Sequence, residues 1–67
     1  MEINQFNKVG LGENQFIKVH FIDGKTLGGS YLGNLDTSTM EFDVSNHATG
    51  TTDRLCLDDI DKIEKLL

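Results

Sequence analysis

Between Phe16 and Val44 the chain alternates apolar and polar residues in short runs, which is the pattern of half-buried β-strands. The clearest run spans residues 16–22 and reads FIKVHFI. One side of this predicted strand is purely apolar and should face the core, with Ile17, Val19 and Phe21. The other side is half apolar, with Phe16, Lys18, His20 and Ile22. We therefore expect its outer apolar residues either to be covered by the N-terminal segment or to form an interface.

An Asp23-Gly24 pair follows and predicts a hairpin turn, because glycine adopts positive φ without steric penalty. A second strand is predicted over residues 26–32, with Leu27 and Tyr31 inward. Its glycines predict a sharply bent strand that can serve two halves of a small barrel. The polar residues 34–39 are typical of a turn.

A third strand is predicted where Met40, Phe42 and Val44 alternate with acidic residues. A polar loop around Gly50 separates it from a fourth strand over residues 53–57. Together these segments predict an antiparallel sheet of short strands joined by hairpins.

The first 13 residues allow two interpretations. Ile3, Phe6 and Val9 have the spacing of one helical face. However, residues 4–9 (NQFNKV) match residues 14–19 (NQFIKV) at five of six positions, which favours a strand and a hairpin loop through the intervening glycines.

The last ten residues also allow two interpretations. Asp58 or Asp59 could cap a helix that presents Ile60, Ile63 and Leu67 on one face. The alternative is a single turn at residues 57–60 followed by a strand over residues 62–66, and the barrel context favours it.

Length and cysteine content indicate the number of domains and the redox compartment. Sixty-seven residues make a single domain, residues 1–67, with its body at 16–66. A core of this size supplies only about 3–5 kcal/mol, so we expect a homo-oligomer. Cys56 is the only cysteine, which excludes an internal disulfide and suits a reducing compartment. No apolar run is long enough to span a membrane and no signal peptide is visible, so we expect a cytoplasmic protein.

The charge indicates what kind of partner to expect. Eleven acidic residues oppose six basic ones, for a net charge of −5, and the basic residues are scattered. Phosphate backbones are bound mainly by clustered Lys and Arg, so the charge argues against nucleic acid. It favours a protein partner with a basic surface, such as a nucleic-acid-binding protein.

No motif predicts catalysis. His20, His47 and Cys56 lack the paired spacing and fourth ligand of a zinc site. The aspartates near the C-terminus lack the regular spacing and turn glycine of a calcium loop. The sequence therefore predicts a protein that is not an enzyme, without metal or cofactor.

The order of turns and apolar positions resembles that of small Sm-like and SH3-like barrels. It is similar to Hfq and Sm proteins, and in detail to the Rho-binding antiterminator family. The residues that carry the resemblance are Asp23, Gly24, Leu27, Gly29, Leu35, Asp36, Met40, Glu41, Phe42, Val44, Gly50, Thr51, Arg54, Leu55, Leu57, Asp58, Ile60 and Ile63. The resemblance implies an all-β fold, a small and strongly bent antiparallel barrel of five or six strands.

Two departures bear on function. Asp36 follows Gly29 by seven residues, where Sm proteins have six. Sm and Hfq rings hold RNA partly through basic residues after the fourth strand, and this chain has Asp58 and Asp59 there. The resemblance thus implies a barrel that is able to form rings but lacks the basic residues that usually bind RNA.

Two functional hypotheses follow. The first is a regulatory or inhibitory binding protein that uses Asp58, Asp59 and Asp61, with Phe16 as an apolar contact, against a basic protein. By resemblance it would inhibit as the Rho-binding antiterminators do. The second is a homo-oligomeric ring that holds a nucleotide or short RNA between subunits. The ligand-binding residues of that second hypothesis would be Tyr31, Asn34, Asp36, Thr39 and His20.

Overall fold

The computed structural model describes residues 1–67 and contains one antiparallel sheet with little helix. The all-β class predicted from the sequence is confirmed. In chain order the elements are helix α1 (Ile3–Val9), strands β1 (Phe16–Phe21), β2 (Thr26–Asp36), β3 (Glu41–Asn46) and β4 (Thr52–Cys56), a 3₁₀ turn (Leu57–Asp59), and strand β5 (Ile60–Lys65).

The five strands are hydrogen-bonded in the order β4-β3-β2-β1-β5. The sheet is therefore open, with β4 and β5 as its two edges. Its inner side holds the core, whose buried residues are Phe6, Ile17, Val19, Phe42, Val44, Leu57, Ile60 and Ile63. No helix of the structure is long and apolar enough to cross a lipid bilayer.

Strand β2 is the longest element and serves two neighbours. Its first half pairs with β1 and its second half with β3, and only Gly29 and Ser30 pair with both. The β2–β3 register shifts on either side of Gly33, where β2 has extra residues. Such bulges bend a strand and let it continue past the point where pairing would otherwise end.

The turn predicted over residues 34–39 is partly wrong for this reason. Asn34 and Asp36 belong to β2, and the turn itself covers residues 37–40. Gly33 and Asn34 adopt positive φ values of 86° and 55°, which absorb the kink inside the strand. The polar residues that indicated a turn are thus tolerated in a bulged strand.

Gly29 lies where the backbone of β2 closely approaches that of β3. A Cβ atom at this position would be 2.3 Å from the carbonyl oxygen of Ser45 and 2.6 Å from a methyl group of Val44. Neither neighbour can easily move, because Val44 is fully buried and Ser45 is paired in β3. Position 29 therefore requires a residue without a side chain.

The N-terminal segment forms helix α1, so the hairpin interpretation of residues 4–9 is wrong. Phe6 is 5% exposed and its ring centroid lies 5.0 Å from that of Phe42 and 6.0 Å from that of Tyr31. Ile3 and Val9 pack against the same core. The helix ends at Gly10, which is left-handed with φ 70°.

The C-terminal turn followed by a strand is confirmed. The strand begins at Ile60, two residues before the predicted start, and ends at Lys65. Ile60 and Ile63 are buried and pair with Phe21 and Val19 of β1. Burial of these two side chains against β1 stabilises a strand in place of the alternative helix.

Replacing Gly29 with alanine should lower the free energy of unfolding by about 1–3 kcal/mol, because the new Cβ forces β2 and β3 apart. Gly28→Ala is the matched control, since a Cβ there would meet no atom within 4 Å. Urea denaturation of both variants measures the difference. Equal stability of the two variants would contradict the close approach at Gly29.

Candidate functional site

The 3₁₀ turn between β4 and β5 positions the first two candidate site residues. Leu57 and Ile60, at the two ends of this turn, are 1% and 0% exposed. Since both ends are fixed in the core, the residues between them, Asp58 and Asp59, are exposed. The apolar-acidic-acidic-apolar order of the sequence thus fixes where the carboxylates lie.

Asp61 is exposed for a different reason, a β-bulge. In the β1–β5 ladder His20 pairs with Lys62 and Phe21 with Ile60, so Asp61 is the extra residue between them. This bulge also lets both Ile60 and Ile63 face the core, although they are three positions apart. We call Asp58, Asp59 and Asp61 the acidic turn.

A main-chain hydrogen bond joins the acidic turn to the β1–β2 hairpin. The Ile22 nitrogen donates to the Asp59 carbonyl oxygen at 2.9 Å. Ile22 is 69% exposed, and the hairpin residue Asp23 follows it directly. The structure therefore brings a fourth carboxylate and an exposed apolar side chain beside the acidic turn.

The carboxylates of the sheet differ from those of the turn because they are engaged by neighbours. Asn34 donates to Asp43 at 2.9 Å and Arg54 donates to it at 2.8 Å, and together they lower the pKa of Asp43. Arg54 also lies 3.4 Å from Glu41. The charge of Arg54 is thus already neutralised within the protein.

Two further aspartates stabilise turns. Side-chain and main-chain hydrogen bonds from Ser38 lower the pKa of Asp36. A hydrogen bond from Asn46, followed in strength by one from Thr51, lowers the pKa of Asp53. These carboxylates have structural roles in the sheet.

The acidic turn has no such internal partner. None of its three carboxylates accepts a hydrogen bond from another side chain or lies in an ion pair. All three residues are exposed. Their charge is therefore free to act on a second molecule.

Phe16, the predicted apolar contact, lies elsewhere. It stands at the start of β1 opposite Ser30, whereas the acidic turn adjoins the end of β1. Its ring is 53% exposed and lies edge-on to His47, whose Nε2 is hydrogen-bonded to the Ser30 hydroxyl at 2.8 Å. The structure does not bring Phe16 and the acidic turn together.

The N-terminal segment does not cover the outer apolar residues of β1. Phe16 and Ile22 are both more than half exposed. Helix α1 instead packs on the core through Phe6, on the opposite side of the sheet from these side chains. The interpretation in which the N-terminus covers Phe16 and Ile22 is therefore wrong.

The structure brings only part of the ligand-binding set of the ring hypothesis together: the Thr39 main chain donates to Asp36, whereas His20 lies apart. Tyr31 is half-buried against Phe6 and Phe42, and burial raises its pKa. Asn34 contacts Asp43, whereas His20 is paired with Glu64 across the β1–β5 ladder.

Positions on the sheet explain why His20 is separated from Asp36 and Thr39. His20 pairs with Thr26 at the start of β2, and Asp36 lies at the end of that strand. Thr39, in the following turn, accepts a weak hydrogen bond at its carbonyl oxygen from the Cys56 thiol at 3.8 Å. No three His, Cys, Asp or Glu side chains are grouped to hold a metal ion.

The sequence did not predict the concavity next to the acidic turn. It has a volume of about 600 Å³ and lies between the β1–β2 hairpin, the end of β3 and the 3₁₀ turn. Ile22, Asp23 and Asp59 contribute to its wall. The outward position of Ile22 in the alternating strand was the available signal, but its proximity to Asp59 depends on long-range pairing.

No family model and no curated protein matches the chain. A similar solved structure is the crystal structure, at 1.9 Å resolution, of a target protein of the Northeast Structural Genomics Consortium. It has 18% sequence identity and a TM-score of 0.61, and the match covers 76% of this chain and 96% of the other. This likeness supports the fold alone.

The hydrogen-bonded carboxylates of the sheet predict that the fold loses stability in acid. Because folding lowers the pKa of Asp43 below its ordinary value, the unfolded state binds more protons as the pH falls. The stability that the Asp43 carboxylate contributes should be fully present above about pH 5 and decline as the pH falls below it.

Asp43→Asn should make that decline shallower, while lowering stability at neutral pH through loss of the Arg54 contact. Urea denaturation at a series of pH values measures both effects. An unchanged slope below about pH 4 would contradict the assigned role of Asp43.

Proposed function

We propose that this protein is a non-enzymatic regulatory binding protein that acts on another macromolecule through its acidic turn. The partner is a protein with a basic surface, and a nucleic-acid-binding protein is the class we favour. Binding would mask that basic surface and thereby inhibit its owner.

The observation that carries this proposal is the division among the carboxylates. Those on the sheet are engaged by Asn, Ser, Thr or Arg side chains, whereas the three of the acidic turn are exposed and unpartnered. Unpartnered like charges held together repel one another, and a basic partner relieves that repulsion. Such a surface also accelerates encounter with a basic protein.

The same arrangement argues against nucleic acid as the partner. The acidic turn would repel phosphate, and Arg54 is engaged by Asp43 and Glu41. The net charge of −5 acts in the same direction.

The resemblance to Rho-binding antiterminators supports a specific version of the proposal. In that version the open five-stranded sheet is related to the Sm-like and SH3-like barrels, and the protein inhibits a basic RNA-binding factor such as Rho in the cytoplasm. The unpaired thiol of Cys56 suits a reducing compartment.

Asp58→Lys should weaken binding to purified Rho about tenfold, because it places a cation against a basic surface. Glu13→Lys is the matched control: it makes the same charge change on an exposed residue before the start of β1, away from the acidic turn. Displacement of labelled RNA from Rho measures inhibition, and rising salt should weaken it.

Equal loss in both variants would show that only net charge matters and would contradict a role for the acidic turn. Tight RNA binding by the protein itself at about 0.2 M salt would contradict the proposal as a whole.

A second candidate function rests on the open sheet. Strands β4 and β5 are both edges of one antiparallel sheet, so copies of the chain can pair edge to edge and close into a ring. Such a homo-oligomer would bind a small ligand between subunits. Residues that one subunit separates, His20 and Asn34 among them, could then meet across an interface.

Native mass spectrometry of gently purified protein separates the two candidates. The masking regulator should be a monomer or dimer without added mass. The ring should appear as a closed oligomer that carries extra mass at each site, and Asp58→Lys should not remove that mass.

A further inference from the structure

The concavity beside the acidic turn combines an apolar wall with an acidic rim. Its apolar wall comes from the end of β1, the start of β2 and the β3–β4 loop, through Phe21, Ile22, Leu27 and Ala48. Asp23 and Asp59 also line it, and one Asp23 carboxylate oxygen accepts a hydrogen bond from the Lys25 main-chain nitrogen at 2.9 Å. A volume of about 600 Å³ is enough for one or two side chains of a partner.

Ile22 is the most exposed large apolar side chain within a strand or turn of the protein, at 69%. A single exposed isoleucine is ordinary on a protein surface. This one differs because it lines a concavity and its main-chain nitrogen donates to the main-chain carbonyl oxygen of Asp59, which fixes the two backbones relative to each other. It offers a partner an apolar contact in a wall that two aspartates also line.

Lys25 is the only cation in the wall of the concavity, and it does not neutralise the rim. Its Nζ lies 3.9 Å from an Asp23 carboxylate oxygen, with both side chains largely exposed. An exposed pair of this length contributes little and is readily exchanged. With two carboxylates against one weakly held ammonium, the rim retains net negative charge.

We propose that this concavity binds a protein segment that carries an arginine next to an apolar side chain. The apolar side chain packs on Ile22 and Leu27, and the guanidinium replaces the Lys25 ammonium at Asp23 and reaches Asp59. Arginine fits better than lysine because its planar fork can donate to both carboxylates at once. This inference rests on the proposed function and adds the partner's chemistry and its docking place.

Charge complementarity sets this occupant apart from others. A nucleic acid would bring phosphates toward Asp23 and Asp59, which costs energy. A purely apolar segment would leave both carboxylates facing a desolvated contact. A segment with a cation beside an apolar group satisfies both parts of the wall.

The test uses the intact protein, labelled with ¹⁵N, and three short synthetic peptides of equal length. In the first, arginine alternates with leucine; in the second, arginine with serine; in the third, serine with leucine. The arginine–leucine peptide should shift the amide signals of the concavity. The other two should bind about tenfold more weakly or not at all.

Two substitutions locate the contact. Ile22→Ser should weaken the arginine–leucine peptide about tenfold, because it removes the apolar anchor. Leu66→Ser is the matched control: it removes an aliphatic side chain of the same size that is also exposed, at 41%, and that does not line the concavity. Both positions are exposed, so the fold should survive both changes.

The outcomes separate this inference from the proposed function. If the arginine–serine peptide binds as tightly as arginine–leucine, or if Ile22→Ser has the effect of Leu66→Ser, the docking place is overturned. Loss of Rho inhibition in Asp58→Lys, with full inhibition in Ile22→Ser, would keep the proposed function and overturn only this inference. If the amide signals of the protein shift when RNA is added but not when any of the three peptides is added, both the docking place and the proposed function are overturned.

Discussion

The sheet depends on the contact between the backbones of β2 and β3 at Gly29. Because β2 pairs with β1 through its first half and with β3 through its second, the two halves of the sheet share only Gly29 and Ser30. A side chain at position 29 would collide with the Ser45 carbonyl. The absence of one methyl group therefore lets the buried faces of β1 and β3 enclose a common core. A core of only eight buried hydrophobic residues leaves little reserve if that contact is lost.

The repeated sequence shows which parts of such a fold can be read from local pattern. Residues 4–9 and 14–19 differ at one position, Asn7 against Ile17, yet the first string is helical, whereas the second passes from a turn at Asn14 into strand β1 at Phe16. Ile17 is fully buried in the sheet, whereas Asn7 is exposed on the helix. The apolar spacing Ile3, Phe6, Val9 predicted the helix correctly. The similarity of the two segments gave a wrong prediction, because residues far along the chain, against which each segment is buried, decide between helix and strand.

The strands of alternating pattern and the C-terminal turn were predictable because each is specified by neighbours in sequence. The length of β2 was not, since its polar residues 34–36 look like a turn and are retained in the strand by bulges around Gly33. The candidate site divides in the same way. Exposure of Asp58 and Asp59 follows from the apolar residues on either side of them, whereas the approach of Ile22 to Asp59 requires the β1–β5 pairing. Phe16 has the exposure expected of a contact residue but lies at the start of β1, whereas the acidic turn adjoins the end of that strand.

The electrostatic and apolar parts of the surface act over different distances. Charges of the acidic turn extend their influence over about 8 Å at physiological salt, and so they affect how a basic partner approaches. They do not by themselves select among basic proteins. Discrimination among basic proteins requires short-range contacts. Beside the acidic turn, Ile22 and the concavity that it lines offer an apolar surface for such contacts. A small domain with limited stability tolerates few such exposed apolar groups. In the proposed function, one of them beside unpartnered carboxylates would contribute both encounter rate and specificity from a single turn and hairpin.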